Sequence, residues 1–520
     1  MNDKGCALMT TYQTAIIDIG SNTVRLVIYQ YSAKTGLKEI ENIKAVARLR
    51  SFLNEEGWLA QEGIDLLESI LTSFKVILED YDVVHTRAIA TASVRQAKNG
   101  DSIIQQMKEN VGFDIELLSE EQEAFYGYYA VVHTTSTSSG VTIDMGGGST
   151  ELTYFDEKEL VASISLPFGS VSLKQQFVSG DVLTGYERKA VYEFAQEQFA
   201  RVPWLKGLNL PVIGIGGSAR NMATYDQHRQ HYPLSGVHQY RITREDFVAI
   251  AEKLTTMQLG QLQKLDGLSS DRADIIGPVI EVFHALLDVV GAQKFQFSRK
   301  GLREGLVIQM ILKKDPHAFD RYDVFSTTAK FLCTEFNKES RQIAHHEYLA
   351  SMLYAQLGSI GAMNWNATNL RYLQQAAKVY FLGEYIDKDA ASQHTFYILS
   401  NRAIDGLNHK ERVRLALLAS YKNKDNFKRY SEPFQHWYGD QELKMFQELG
   451  AILKFTYALD ATQRNVVRKI RLVEREDAVE VHIYTNRNSL AEQYRTNRQA
   501  KHIERIVKKP LVLQFIEEEG

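Results

Sequence analysis

Two stretches of the chain set an aspartate and a glycine-bearing turn between apolar strands: Ala15 to Tyr29, reading AIIDIGSNTVRLVIY, and Val141 to Tyr154, reading VTIDMGGGSTELTY. In matching register Asp18 falls on Asp144, Gly20 on Gly146 and Leu26 on Leu152. Glycine permits backbone angles that aim several N–H groups at one point, and such a nest of amides binds anions. Gly20, Ser21 and Asn22 in the first turn, and Gly146, Gly147, Gly148 and Ser149 in the second, are therefore candidate phosphate-binding residues. A carboxylate at the end of a buried strand is costly unless it is paired or faces a cation. A hard oxygen ligand beside a phosphate cradle suits Mg²⁺, which makes Asp18, Asp144 and Glu151 the candidate metal-side acids. Glycine and aspartate are also ordinary turn residues, so either hairpin alone reads equally as a polar turn. Repetition of the design in one register favours a phosphate held between the two.

Three further segments carry groups of the right kind. Ala90-Thr91-Ala92-Ser93-Val94-Arg95 places Arg95 in the first turn of an expected helix, either as a bidentate phosphate contact or as a solvent-facing side chain. Ser119-Glu120-Glu121-Gln122-Glu123-Ala124 has capping-box spacing between Ser119 and Gln122. Its acids suit a helix N-terminus without any catalytic role, yet hydrolysis of a phosphoanhydride needs a carboxylate to direct water. In Val212-Ile213-Gly214-Ile215-Gly216-Gly217-Ser218 a strand meets a helix across Gly216 and Gly217, a junction that serves tight packing or an anion or ribose.

The elements that must position these groups follow from periodicity and punctuation. A helix over Glu62 to Glu79, a strand over Val83 to Ala88, a strand over Asp114 to Leu118 and a helix from Ser119 alternate as in a mixed sheet covered by helices. The polar run Thr134 to Ser139 separates two similarly built lobes. Helical spacing over Ala273 to Val290, Ile343 to Leu357, Leu373 to Leu382 and Val413 to Leu418, then a strand-and-helix tail from Val467, predicts a separate helical domain from about Asp315. The expected division is a tail over 1–13, lobes over 14–133 and 140–312, and a helical domain over 315–520. At 520 residues several domains are expected. Sixty lysines and arginines against 64 acids give a net charge of −4, which argues against a general nucleic-acid binder. Only Cys6 and Cys333 occur, so a disulfide framework is excluded and a reducing cytoplasm is expected. No apolar run is long enough to span a membrane, and the leader Met1 to Gln13 has no signal-peptide core; Met9 is an alternative start.

The ordered set Asp18 to Asn22, Ala88 to Ala97, Ser119 to Ala124, Ile143 to Leu152 and Gly214 to Arg220 resembles the exopolyphosphatase and guanosine pentaphosphate phosphohydrolase (Ppx/GppA) family. Leu268 to Asp274 and Gly301 to Gly305 also look familial, and the likeness covers about residues 14 to 310. It implies an α/β fold of two ribonuclease-H-like lobes of the actin-like ATPase superfamily, followed by a mostly α-helical, HD-like C-terminal domain. It maps the catalytic base onto Glu123, with Glu121 secondary, and places Gln122 where many members have an acid. The implied activity is Mg²⁺-dependent release of orthophosphate from inorganic polyphosphate, with guanosine pentaphosphate as the alternative substrate. Another divalent ion and a monovalent cation stay open. An actin-like-fold kinase and a non-catalytic alarmone or polyphosphate sensor are the other readings. A homodimer, without nucleic acid or membrane partners, is expected.

HD-type metal sites need a His-Asp pair. His345-His346 and His394 occur, but the chain contains no His-Asp dipeptide, and Tyr380-Phe381 stand about where the pair would fall. The helical domain is therefore expected to serve dimerisation or substrate binding. Arg464, Arg468, Lys469, Arg471, Arg495, Arg498, Lys501, Arg505, Lys508 and Lys509 form either a solvated face or a track for a long polyanion.

Overall fold

The computed structural model describes residues 11–518; the readings of Met1, Cys6 and Met9 lie outside them. Two compact units form, one from the chain up to Tyr232 with Val237–Val324, the other from Pro233–Gly236 with the chain from Phe325.

The first unit contains two sheets. One has the order β3-β2-β1-β4-β5, made of β1 (Tyr12–Ile19), β2 (Thr23–Ser32), β3 (Gly36–Val46), β4 (Val83–Ala90) and β5 (Ile115–Leu117). The other adds β6 (Gly140–Met145), β7 (Thr150–Asp156), β8 (Glu159–Leu166), β9 (Val212–Ile215), β10 (Arg241–Thr243) and β11 (Lys294–Phe297) in the order β10-β11-β9-β6-β7-β8. The repeat seen in sequence extends to strand pairing. Asp18 faces Arg25 across β1 and β2 and lies beside Ile89 of parallel β4; Asp144 faces Glu151 across β6 and β7 and lies beside Ile215 of parallel β9. Both turns close alike, Gly20 N–H donating to Thr23 O at 3.1 Å and Gly146 N–H to Ser149 O at 3.0 Å.

Strand β1 is an almost unbroken apolar run because it is covered on both faces. Ala15, Ile17 and Ile19 join a core with Leu67, Leu71 and Phe74 of the helix Gln61–Glu79. Ile16 points the other way, into a core with Tyr126, Leu306, Val307 and Ile311. These last residues belong to the helices Glu120–Thr134 and Leu302–Lys314. The helix Leu302–Lys314 follows β11 of the second sheet, yet packs on the first.

The helix Glu120–Thr134 carries apolar and aromatic side chains on most of its circumference, as a helix buried on more than one side must. Tyr126 enters the core of the first sheet, while Tyr128, Val131 and Val132 pack with Phe155, Ile213 and Ile215 of the second. Its start carries the expected capping box. Ser119 Oγ accepts from Gln122 N–H at 3.2 Å and Gln122 Oε1 accepts from Ser119 N–H at 2.8 Å.

The helix expected to run on from Thr91 stops after one turn, Ala92–Arg95. Asn99 ends it by pairing with the backbone of Leu59, accepting from its N–H and donating to its carbonyl, both at 3.0 Å. Arg95 therefore sits at the end of that turn.

In the second unit the helices Ser340–Ser359, Ala367–Lys378, Ala391–Asn401, His409–Ala419 and Asp440–Leu459 pack together. The sheet β12 (Val467–Glu474), β13 (Val479–Thr485) and β14 (Leu511–Glu517) follows in that order. The spacing through Leu373 to Leu382 breaks at Lys378, because Phe381 takes a left-handed conformation (φ 49°) and its N–H donates to Ala419 O at 3.0 Å. The histidines are built into this packing. His345 Nε2 lies 2.8 Å from Val467 O, and His346 Nε2 lies 3.0 Å from Leu453 O.

Two consequences are measurable. A Cβ on Gly305 would stand 2.1 Å from Tyr126 O, so Gly305→Ala must push apart the helices Leu302–Lys314 and Glu120–Thr134. It should cost roughly 1–3 kcal/mol of stability in denaturant unfolding, and a neutral result would contradict this packing. His346 is buried, which pushes its pKa down to about 4. Its neutral form thus favours folding above the unfolded-state value near 6.5, and that stability is lost as pH falls from there towards 4. Urea unfolding of the wild type should lose on the order of 2 kcal/mol more than His346→Gln between pH 7 and 5; equal slopes would refute it.

Candidate active site

The two hairpin turns meet. A Cβ on Gly147 would lie 3.1 Å from Ser21 Cβ, and one on Gly148 would lie 2.4 Å from Arg50 Nη1. Among the described residues, the N–H groups of Ser21, Asn22, Gly147 and Gly148 have no acceptor within the protein. The carbonyls of the second turn are, by contrast, tied down: Ser170 N–H donates to Gly146 O at 2.9 Å and Val171 N–H to Gly147 O at 3.0 Å. The turn thus presents donors and hides acceptors, which fits an anion.

A cavity of about 530 Å³ opens beside these turns. Asp18, Gly20, Ser21, Asn22, Glu123, Asp144, Gly146, Gly147, Ser149, Glu151, Gly216 and Gly217 all line it. Arg95 and Gly148 do not. Arg95 instead forms an ion pair with Glu123, and its Nη1 also donates to Leu118 O at 2.7 Å. Gly148 lies under the Arg50 guanidinium, which donates to Gln96 Oε1 at 2.6 Å. Glu121 is exposed, and Gln122 is occupied with the helix cap.

Gly216 has φ +83°, and a Cβ there would stand 2.7 Å from Asp144 Oδ1; glycine is needed both for the turn and for the close approach of the carboxylate. Gly217 is needed for Arg272, whose guanidinium carbon would lie 2.6 Å from a Cβ.

Arg25, Arg220, Arg272 and Arg303 also line the cavity. No role for them emerges from the sequence, although three stand inside segments that look familial. The fourth was readable from the repeat itself: Arg25 occupies in the first hairpin the place of Glu151 in the second. Burial, then the nearby Arg303, holds Arg25 below the ordinary arginine range, and burial does the same to Arg272. Arg303 Nε lies 3.7 Å from Asp18, and its buried Nη1 has no hydrogen-bond partner among the described residues. Crowded, partly unpaired guanidiniums fit an anion with several oxygens.

The carboxylates are equally crowded. Burial raises Glu123, against the pull of Arg95 and with help from Asp18 and Asp144. Burial and Glu123 raise Glu151, which accepts from Ser165 Oγ at 3.1 Å. Burial and Asp18 push Asp144 up to about 6. Such a group fits a divalent cation. Among the described residues no three His, Cys, Asp or Glu side chains converge closely enough to hold a metal directly. A divalent ion in this cavity would therefore have to be held largely through its own water shell. No helix among the described residues is long and apolar enough to cross a membrane.

Among solved structures, a Ppx/GppA family member from Aquifex aeolicus is 28% identical, matching 59% of this chain and 99% of its own with a TM-score of 0.53. An exopolyphosphatase from Cytophaga hutchinsonii, 23% identical, matches 57% of this chain and 97% of its own with a TM-score of 0.53, a likeness of fold. The fold is thus the mixed α/β two-lobe, actin-like type, followed here by a helical domain. The profile of the Ppx/GppA phosphatase family, domain III, matches residues 324–501. The profile of the Ppx/GppA phosphatase family itself matches residues 27–314, more than half of the sequence, and the chain belongs to that family.

Proposed function

We propose that this protein is an exopolyphosphatase, hydrolysing the terminal phosphoanhydride of inorganic polyphosphate and releasing orthophosphate. The observation that carries the reading is the entry of Glu123, a carboxylate only 13% exposed, into the same cavity as two donor-rich glycine turns and five arginines. In this reading Ser21, Asn22, Gly147 and Ser149 grip the terminal phosphates through backbone and side-chain donors. Arg25, Arg220, Arg272 and Arg303 meet the negative charge of the chain that follows. Mg²⁺ or another divalent ion, held by Asp18, Asp144 and Glu151 largely through water, would supply neutralisation of the phosphate oxygens. Glu123 accepts a proton from water as its oxygen attacks the terminal phosphorus, and the bridging P–O bond breaks towards the shortened chain. Arg95 holds Glu123 in place from outside the cavity, so it acts as a positioning residue. The raised carboxyl suits a base that must take up a proton. Most of the rate comes from alignment and charge stabilisation.

Glu123→Gln keeps the shape and removes the base. Orthophosphate release from polyphosphate should fall by at least roughly 100-fold while polyphosphate affinity stays nearly unchanged; wild-type turnover in the variant would remove Glu123 from this role. A substrate panel tests the specificity. Release should be fastest from long-chain polyphosphate, slower from short polyphosphate, guanosine pentaphosphate and ATP, and abolished by chelation of divalent ions. Preference for guanosine pentaphosphate would overturn the polyphosphate reading, and acceptor-dependent phosphoryl transfer would overturn hydrolysis.

A further inference from the structure

The second unit contains a cavity of its own, of about 630 Å³, lined by Tyr380, Phe381, Tyr457, Lys388, Lys454, Arg495 and Arg498 among others. Its volume lies within the roughly 300–1,000 Å³ of small-molecule sites. Two features of its wall are unusual for structural filler.

The first is charge. Lys388, Lys454, Arg495 and Arg498 have no ion-pair partner among the described residues. Arg495 donates to Ala461 O at 3.0 Å and Lys454 to Lys422 O at 2.6 Å, so both are held by neutral carbonyls. Burial, followed by Lys501 and Lys422, pushes Lys454 down to about 8. The two acids of the wall are already engaged. Glu384 lies 3.3 Å from Lys338 and accepts from Tyr457 Oη at 2.7 Å; Asp460 lies 3.3 Å from His345 and accepts from Asn465 N–H at 2.9 Å. Four cations thus face the space against two carboxylates that have partners of their own.

The second is the aromatic wall. Phe381 stacks on Tyr380 with ring centroids 4.4 Å apart and an interplanar angle of 9°, and Tyr457 meets it edge-on at 5.9 Å. Phe381 achieves this with a left-handed backbone (φ 49°), which is strained for an aromatic residue. Tyr380 is buried and anchored by its hydroxyl to Tyr421 O at 2.8 Å. A bare polyanion would need the cations alone. Rings beside cations match a ligand that is flat and apolar at one end and anionic at the other.

We propose that this cavity binds a nucleoside phosphate, with the base against the Phe381 and Tyr457 rings and the phosphates among Lys388, Lys454, Arg495 and Arg498. The site is separate from the catalytic cavity and does not depend on its assignment. It draws two cations of the C-terminal run, Arg495 and Arg498, into a pocket, while Arg464 and Lys509 of the same run are paired with Glu492 and Glu474.

Photolabelling of the full chain with 8-azido-ADP tests the proposal, with the labelled peptides mapped by mass spectrometry. Label should appear in the segments around Phe381 or Tyr457 and be displaced by ADP but not by tripolyphosphate at equal concentration. Lys388→Ala/Arg498→Ala changes two exposed side chains and should keep the wild-type unfolding midpoint while losing roughly ten-fold in labelling. Label confined to peptides of the catalytic cavity, equal displacement by tripolyphosphate, or undiminished labelling of a folded double variant would each overturn it.

Discussion

Burial of the helix Glu120–Thr134 against two sheets that share no strand is the constraint on which the cavity between the hairpin turns rests. Each aromatic or branched side chain it buries contributes on the order of 1.5–3 kcal/mol, and these contacts fall on opposite sides of one rigid element. The first turn of that element is thereby fixed relative to both hairpins at once. Glu123 stands in this turn, so its carboxylate inherits a position that no surface loop could hold. The arrangement has a cost, since an acid so placed is poorly hydrated. Arg95 offsets it from behind, and removing that guanidinium would leave a buried charge without its partner.

The cavity is a site of electrostatic conflict on both sides of zero. Arg25 and Arg272 are pushed down while Asp144, Glu151 and Glu123 are pushed up, so each group would be better satisfied elsewhere. The register of β1 with β2 holds Arg25, that of β6 with β7 holds Asp144 and Glu151, and the helix Glu120–Thr134 holds Glu123. An anion and a cation arriving together would relieve both kinds of crowding. This is the same logic by which perturbed ionisable groups mark functional clefts.

Local signals in the sequence carried far. The aspartate-glycine hairpins, the capping box at Ser119 and the strand–glycine–helix junction at Gly216 each depend on a few adjacent residues, and each is found where its pattern lies. What stayed hidden depends on distance along the chain. The short turn Ala92–Arg95 ends because Asn99 pairs with Leu59, a partner 40 residues away. Arg272 and Arg303 reach the cavity only through the return of the chain after β9 and β11, and the packing of Leu302–Lys314 on the first sheet has no local signature. Arg25 is the instructive exception, because comparing the two hairpins with each other exposes it.

That difference between the hairpins has a directional consequence. A cradle made of two like turns would be nearly two-fold symmetric, and an extended chain of phosphates could lie in it either way with equal energy. With Glu151 on one side and Arg25 at the matching place on the other, the two orientations are no longer degenerate. On the proposed reading, one side would receive phosphate through a cation and the other through a guanidinium. A single exchange of charge in a duplicated strand thus gives the cleft a head and a tail, and a polyphosphate bound as proposed would acquire a direction that it lacks in solution.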